Sequence, residues 1–238
     1  MAGGNGRGCL MNQLFEPSHV ILDKKTNSFI ICDKGSQRVI QWPTQSDTAE
    51  RTLISNIHCS AVAIDNNGDL YVSDYFENSV KRWRTDRGQG TIVAGDNHIG
   101  SKLHQLHFPT YLFVDEDYSV YVTDMRNHRV LKWPRGAREG IVVAGGQGEG
   151  DGLTQLHFPQ GITVDPVGNV YVADSYNHRI VRWSKGSKEG HVIVGGNQEG
   201  IQANQLCYPA SLSFDRQGHL YVVDAGNDRI QRFEITHN

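Results

Sequence analysis

An all-β chain of five like units, each a meander of four short antiparallel strands, is what three observations predict. An aromatic residue closes a recurring pattern at Trp42, Trp83, Trp133, Trp183 and Phe233, at intervals of 41, 50, 50 and 50 residues. An Asp holds the register nine residues before each of them, at Asp33, Asp74, Asp124, Asp174 and Asp224. Around each Asp, apolar and β-branched residues alternate with polar ones, the period of half-buried strands. Units of about 40–50 residues with four strands each bury their faces only by stacking on one another, and radial stacking makes a β-propeller.

The fourth unit serves as template. Gly161–Val164, Asn169–Ala173, Arg179–Trp183 and Val192–Val194 read as its strands a to d. Asp165-Pro-Val-Gly168 is the turn from a to b: Asp opens it, Pro presets the next torsion and Gly closes it. Asp65-Asn-Asn-Gly68 and Asp215-Arg-Gln-Gly218 repeat that turn, whereas Asp115-Glu-Asp-Tyr118 lacks the Gly and the first copy is a residue longer, so both of these should deviate. The other units place strands at 20–22, 29–32, 38–42 and 52–55; at 61–64, 70–73, 80–83 and 91–94; and at 111–114, 120–123, 129–133 and 141–144. The fifth has strands at 211–214, 220–223 and 229–233 and no fourth, so blades span about 18–55, 60–94, 110–144, 160–194 and 210–234 of one domain, 1–238. Met1 to Gly8 lacks the apolar centre of a leader peptide and matches Val143 to Gly150, so a further repeat is expected upstream. An open arc or a strained five-bladed ring follows, with edges at Val20–Leu22 and Arg229–Phe233 that favour self-association.

Asn127-His128-Arg129 and Asn177-His178-Arg179, each set in Tyr-Val-x-Asp-x-x-Asn-His-Arg-(Ile/Val), resemble the NHL repeat. The resemblance covers residues 1 to 234 and implies a propeller of the kind usually closed with six blades. The corners Ser36-Gln37-Arg38, Glu77-Asn78-Ser79 and Gly226-Asn227-Asp228 depart from the motif, so their conformation and contacts should differ.

With 238 residues and 38% hydrophobic content the chain can bury a sizeable core, and no apolar run approaches the ~20 residues of a membrane-spanning helix. A formal charge of −3 gives no overall attraction for nucleic acid or anionic lipid. Cys9, Cys32, Cys59 and Cys207 lie far apart in no metal spacing and read as plain thiols, Cys59 standing where other units have Pro17, Pro109, Pro159 and Pro209. Asp33/Arg38, Asp124/Arg129, Asp174/Arg179 and Asp224/Arg229 stand five apart across a hairpin, and the structural reading, a charge-assisted cross-strand pair, outweighs a ligand role. The second unit has Ser79 in place of Arg. Trp42, Trp83, Trp133 and Trp183, with Tyr71, Tyr121, Tyr171 and Tyr221, read as interblade packing.

His107, His157 and Cys207, each two residues before Pro, are weak metal candidates that would need an ion on the axis, and no metal or other cofactor is expected. No nucleophile elbow or metalloprotease pair occurs, so an enzyme is unsupported. The leading reading is a binding propeller that offers its linker face to a protein partner, with Arg126, His128, His157, Tyr176 and His178 as contacts. The resemblance also implies alternatives: a metal-dependent lyase or lactonase, a single-stranded-RNA binder, or the substrate-recognition part of a ubiquitin ligase. The mixed charge of the linker face weighs against RNA.

Overall fold

The computed structural model describes residues 2–45, 49–84 and 88–235. Blade one is β1 (Pro17–Asp23), β2 (Ser28–Asp33), β3 (Arg38–Pro43) and β4 (Arg51–Ser55); blade two is β5 (Cys59–Ile64), β6 (Leu70–Asp74), β7 (Ser79–Trp83) and β8 (Thr91–Gly95). Blade three is β9 (Pro109–Val114), β10 (Val120–Asp124), β11 (Arg129–Trp133) and β12 (Ile141–Gly145), and blade four is β13 (Ile162–Val164), β14 (Val170–Asp174), β15 (Arg179–Trp183) and β16 (His191–Gly195). Blade five has three strands, β17 (Pro209–Phe214), β18 (His219–Asp224) and β19 (Arg229–Glu234). Each sheet is antiparallel with strands in chain order, so the chain forms a β-propeller of five blades.

The blades adhere through their apolar faces. Ala61, Tyr71 and Val80 of blade two meet Leu112, Val122, Leu131 and Trp133 of blade three, and Tyr121 and Val130 of blade three meet Ile162, Val172 and Trp183 of blade four in the same manner. Blades one and two, and four and five, share equivalent clusters. Among the described residues no shared apolar cluster joins blade five to blade one. Ile31, Ile40 and Trp42 of blade one are instead covered by Ala2 and Leu14, while Val20 and Leu22 stay exposed. The described residues therefore form an open arc rather than a strained ring. Met1, the first residue of the stretch Met1 to Gly8 that resembles Val143 to Gly150, lies outside the described residues.

Three expectations are corrected. Cys32 and Cys59 are not plain thiols: they form a disulfide, their Cα atoms 5.9 Å apart, that ties blade one to blade two. The position held by Pro in the other linkers lies against the preceding blade's β2 here, and a thiol on each side closes the gap. The turn at Asp115 does not deviate, because Tyr118 takes the left-handed conformation (φ 62°) that Gly68 and Gly168 take in their copies, and its N–H donates to Asp115 O at 3.0 Å. Stacking of Arg135 on the Tyr118 ring, 4.9 Å from its centroid, offsets part of that strain. The unlike corners of blades one and five share the conformation of the motif corners, a short 3-10 turn closed by a left-handed residue, and differ in contacts; blade two keeps the left-handed residue, Asn78, but not the 3-10 turn, so Gln37, Asn78, His128, His178 and Asp228 all have φ between 50° and 52°.

The axis is filled. Val62 N–H donates to His19 Nδ1 at 3.3 Å, which leaves the ring proton on Nε2; that group bonds the Tyr111 hydroxyl at 2.7 Å, and Tyr111 in turn reaches Ser211 Oγ at 2.8 Å. The innermost strands of blades one, three and five are thus bridged across the centre. Burial holds the His19 imidazole down to about 4 and pushes the Tyr111 phenol up.

Candidate functional site

The face carrying the interblade linkers and the b-to-c corners is built by one recurrent clamp. Asp174 Oδ1 accepts the His157 N–H at 2.6 Å, and its Oδ2 accepts Arg179 Nε at 2.7 Å and Asn177 Nδ2 at 2.8 Å. The rest of the Arg179 guanidinium donates to the carbonyls of Asp151, Gly152 and Gln155, so the loop ahead of blade four is fastened to that blade's corner. Asp124 with Arg129 does the same for the carbonyls of Ser101, Lys102 and Gln105, and Asp224 with Arg229 for those of Ile201, Gln202 and Gln205. Asp33 with Arg38 holds Cys9, Leu10 and Gln13 over blade one. Burial raises the Asp124 and Asp174 carboxyls against the opposing pull of these donors. At Asp224, whose partner Arg229 is the most exposed of the clamp arginines, burial is outweighed by Asn227, the Cys207 N–H and Arg229, and the carboxyl is lowered.

Blade two explains its own exception. The linker from β4 to β5 is only Asn56-Ile57-His58, so there is no loop whose carbonyls an Arg would cap, and Ser79 stands in its place. The charge of Asp74 is met from one turn of the pleat further on, by Lys81 Nζ at 3.2 Å. The shorter interval of 41 residues and the missing Arg have one cause.

The motif histidines proved to be part of this framework, which the sequence alone did not disclose. Phe158 N–H donates to His128 Nδ1 at 3.3 Å and Tyr208 N–H to His178 Nδ1 at 3.2 Å, while Asn78 Oδ1 accepts from Phe108 N–H at 2.9 Å in the equivalent place. An acceptor on a left-handed corner thereby staples the next linker, whose own residue before Pro is also left-handed (φ 57° at Phe108, 45° at Phe158, 46° at Tyr208). Burial lowers the His128 imidazole, in keeping with a neutral acceptor. The signal was present in the sequence as Asn78, a carbonyl oxygen standing where blades three and four have imidazole.

Stapling the linkers aligns their aromatic residues. Tyr75 meets Phe108 at 5.2 Å, and Arg126 lies over Phe108 at 5.4 Å from its centroid. A second run passes from His128 and His157 through Phe158 to Tyr176, 5.0 Å away, then to Tyr208 at 5.2 Å and to His178. Tyr176 and Tyr208 are 48% and 41% exposed, far more than a ring in a core, and Arg126 is exposed beside the first run. Of the five residues expected to bind, Arg126, His157 and Tyr176 sit with side chains toward solvent or each other; His128 and His178 are half-buried and committed to the linkers.

Among the described residues His107, His157 and Cys207 are not brought together as one group of potential ligands. His157 Nε2 pairs with Glu149 at 3.0 Å, and Cys207 Sγ contacts Glu199 at 3.1 Å in a separate linker. His107 is lowered by burial and by Arg126 beside it. His178, Glu199 and Cys207 do bring one potential ligand atom each within 4.8 Å of one another. Because His178 Nδ1 accepts the Tyr208 N–H, its Nε2 carries the ring proton and faces Glu199, so that nitrogen has no lone pair to give a metal without breaking the staple. The hydrogen bond to Glu199, with burial adding, raises the Cys207 thiol to about 11. These residues fit a hydrogen-bonded corner better than a metal centre.

The fold and its clamped linkers define a repeat propeller. The NHL repeat model matches residues 156–183 and 206–233, and the chain carries NHL repeats. Among solved structures, an auxiliary nutrient binding protein of Bacteroides thetaiotaomicron is similar at 16% identity and a TM-score of 0.74 over 93% of this chain and 59% of that one. The chain thus spans little more than half the length of that relative. A gluconolactonase of Xanthomonas campestris matches at 17% identity and 0.67, over 93% and 76%, and a chain of a nidogen/laminin complex at 21% and 0.65, over 83% and 71%. At these identities the likeness is one of fold. No curated protein sequence matches the chain.

Proposed function

We propose that this propeller is a non-enzymatic binding module whose linker face receives a protein partner. The observation that carries the reading is the exposed aromatic run Phe158–Tyr176–Tyr208 with His157, held rigid by backbone staples and set beside Arg126 and Phe108. Tyr and Arg on a preorganised surface supply contact area at small entropic cost, and such residues dominate interface energies. Acidic Glu149 and Glu199 alternate with the rings, which suits a protein surface of mixed charge better than a phosphate backbone. Similar folds serve both roles, a nutrient binding protein and a gluconolactonase among them.

The test uses two multi-site variants that spare the staples. One replaces Arg126, His157, Tyr176 and Tyr208 by Ala; the other replaces Lys185, Lys188 and Glu189 on the opposite face. Partners captured by the wild-type protein and identified by mass spectrometry should be lost from the first variant alone. Loss from the second alone would place the interface on the other side, and turnover of a lactone would favour the enzyme.

A further inference from the structure

Blades two and three meet beside β8 across a groove of about 490 Å³, within the range of small-molecule sites. Ile92 and Val93 of β8 form one wall, and Trp133 with the loop that follows it forms the other. Arg82, Arg135 and Arg138 line the same groove, and none of the described lining residues is acidic. The sequence places each of them. Arg82 opposes Tyr71 in the register of β6 and β7, so both side chains leave the sheet on one face, and Tyr71 packs with Leu112, Val122 and Trp133 of blade three. Arg82 therefore lies between the blades. Arg135 stands at the crown of the turn Pro134-Arg-Gly-Ala137, in which Ala137 N–H donates to Pro134 O at 2.9 Å and Gly136 supplies the positive φ of 77°. Arg138 follows that turn and is exposed.

The positive charge of this groove is only partly answered. Asp69 lies 4.0 Å from Arg82 Nε and offsets part of one charge, yet that Nε is buried with no hydrogen-bond partner. Arg135 rests on the Tyr118 ring, a contact that occupies one face of the guanidinium and leaves its N–H groups for an acceptor. Among the described residues neither Arg135 nor Arg138 has a carboxylate at ion-pair distance. The places equivalent to Arg82 in blades one, three and four differ. Gln41 is neutral, Lys132 pairs with Asp115 at 3.1 Å, and Arg182, whose Nε is likewise unpaired, shares its groove with Glu234. Blade four repeats the turn of blade three with Lys185 and Lys188 in place of Arg135 and Arg138, so the guanidiniums gather in one groove.

We propose that the groove between blades two and three binds a phosphate monoester carried on a small apolar or aromatic body. With Asp69 offsetting Arg82 in part, about two positive charges remain, which matches a dianionic head. The planar guanidiniums of Arg82, Arg135 and Arg138 hold its oxygens by charge-assisted N–H donation, and the phosphate supplies an acceptor for the donor that Arg82 leaves unpaired. Ile92, Val93 and Trp133 take the apolar body. A free ester is the occupant rather than a phosphorylated chain, because the groove has the volume of a small-molecule site. It opens at the loop between the third and fourth strands, so the proposal is independent of what docks on the linker face.

The probe is phenyl phosphate, added to the full chain above pH ~7, where the ester is a dianion, and followed by the indole N–H resonance of Trp133 and the amides of Gly136 and Ala137. It should bind about tenfold more tightly than benzenesulfonate, inorganic phosphate or benzyl alcohol. Arg138→Ala, on an exposed side chain, should leave the melting temperature unchanged and weaken binding about tenfold, as should Arg82→Gln. Arg135→Lys, which keeps a cation on Tyr118 but loses the planar fork, should weaken it about threefold. Lys185→Ala with Lys188→Ala should leave binding as it is. Absence of binding at millimolar phenyl phosphate, resonance shifts confined to other blades, or equal weakening by the lysine variant would overturn the proposal. Equal affinity for benzenesulfonate would overturn the dianion, and equal affinity for inorganic phosphate the apolar body. A phosphotyrosyl peptide that binds more than about tenfold tighter than phenyl phosphate would overturn the choice of a free ester.

Discussion

Replacing Arg179 by Met tests the clamp where it is most enclosed. The Arg179 side chain is 6% exposed and the Asp174 side chain 0%, with Nε and Oδ2 2.7 Å apart. Met fills the aliphatic stem and removes the charge, leaving Asp174 buried with only Asn177 and the His157 N–H. Breaking a buried pair from one side costs about 3–5 kcal/mol. The carbonyls of Asp151, Gly152 and Gln155 lie on a loop near solvent and can hydrate, so they add little. For a chain of this length that loss lowers Tm by roughly 6–20 °C. Arg229→Met removes the same bonds where the Arg side chain is 31% exposed and Gln231 Nε2 remains 3.1 Å from Asp224, so its cost should be about 1 kcal/mol. Urea unfolding of the two variants at pH 7.5 provides the comparison. A further reading comes from pH. Burial already raises the Asp174 carboxyl; a raised carboxyl means the folded state holds the proton more tightly, so stability from this group is greater at low pH and falls as pH rises. Without its Arg the effect grows, and the penalty of Arg179→Met should shrink between pH 7.5 and pH 4.5. An Arg179→Met protein within about 1 kcal/mol of wild type, or one no less stable than Arg229→Met, would refute the clamp as an energetic element.

Three more outcomes follow from named contacts. His19, held down to about 4 against an ordinary 6.5, stays neutral in the fold, so stability present above pH 6.5 should be lost as pH falls toward 4 by about 3 kcal/mol, and His19→Gln should flatten that slope in urea titrations. Reduction of Cys32–Cys59, which closes 27 residues of separation, should lower the unfolding free energy by about 3 kcal/mol, with Cys32→Ala/Cys59→Ala unchanged by reductant. His178→Asn should keep the Tyr208 staple, as Asn78 keeps that of Phe108, whereas His178→Leu should cost about 1–3 kcal/mol in calorimetry by orphaning the Tyr208 N–H.

The blades were legible because a period of 50 residues imposes the same packing demand on each copy, and Asp174, Arg179 and Trp183 fall at the same places in it. What escaped were features that join one copy to the next. The disulfide pairs a Cys in the second strand of blade one with the residue that opens the first strand of blade two, positions that no spacing rule relates. His128 and His178 looked like free imidazoles because their acceptor role is toward a backbone N–H thirty residues on. Tyr118 in a left-handed turn goes against residue preference, and only the stacking Arg135, from another hairpin, makes it intelligible. The linker face was foreseen as a collection of loops; its aromatic continuity depends on the rings of Phe158, Tyr176 and Tyr208, which come from three separate elements.

The most direct test of the binding reading is hydrogen exchange on the complex with a partner captured by the wild-type protein. The account predicts slowed exchange at 125–128, 157–158, 175–178 and 207–208, with the loop at 184–190 unchanged. Protection confined to 184–190, with the linker segments exchanging as in the free protein, would contradict it.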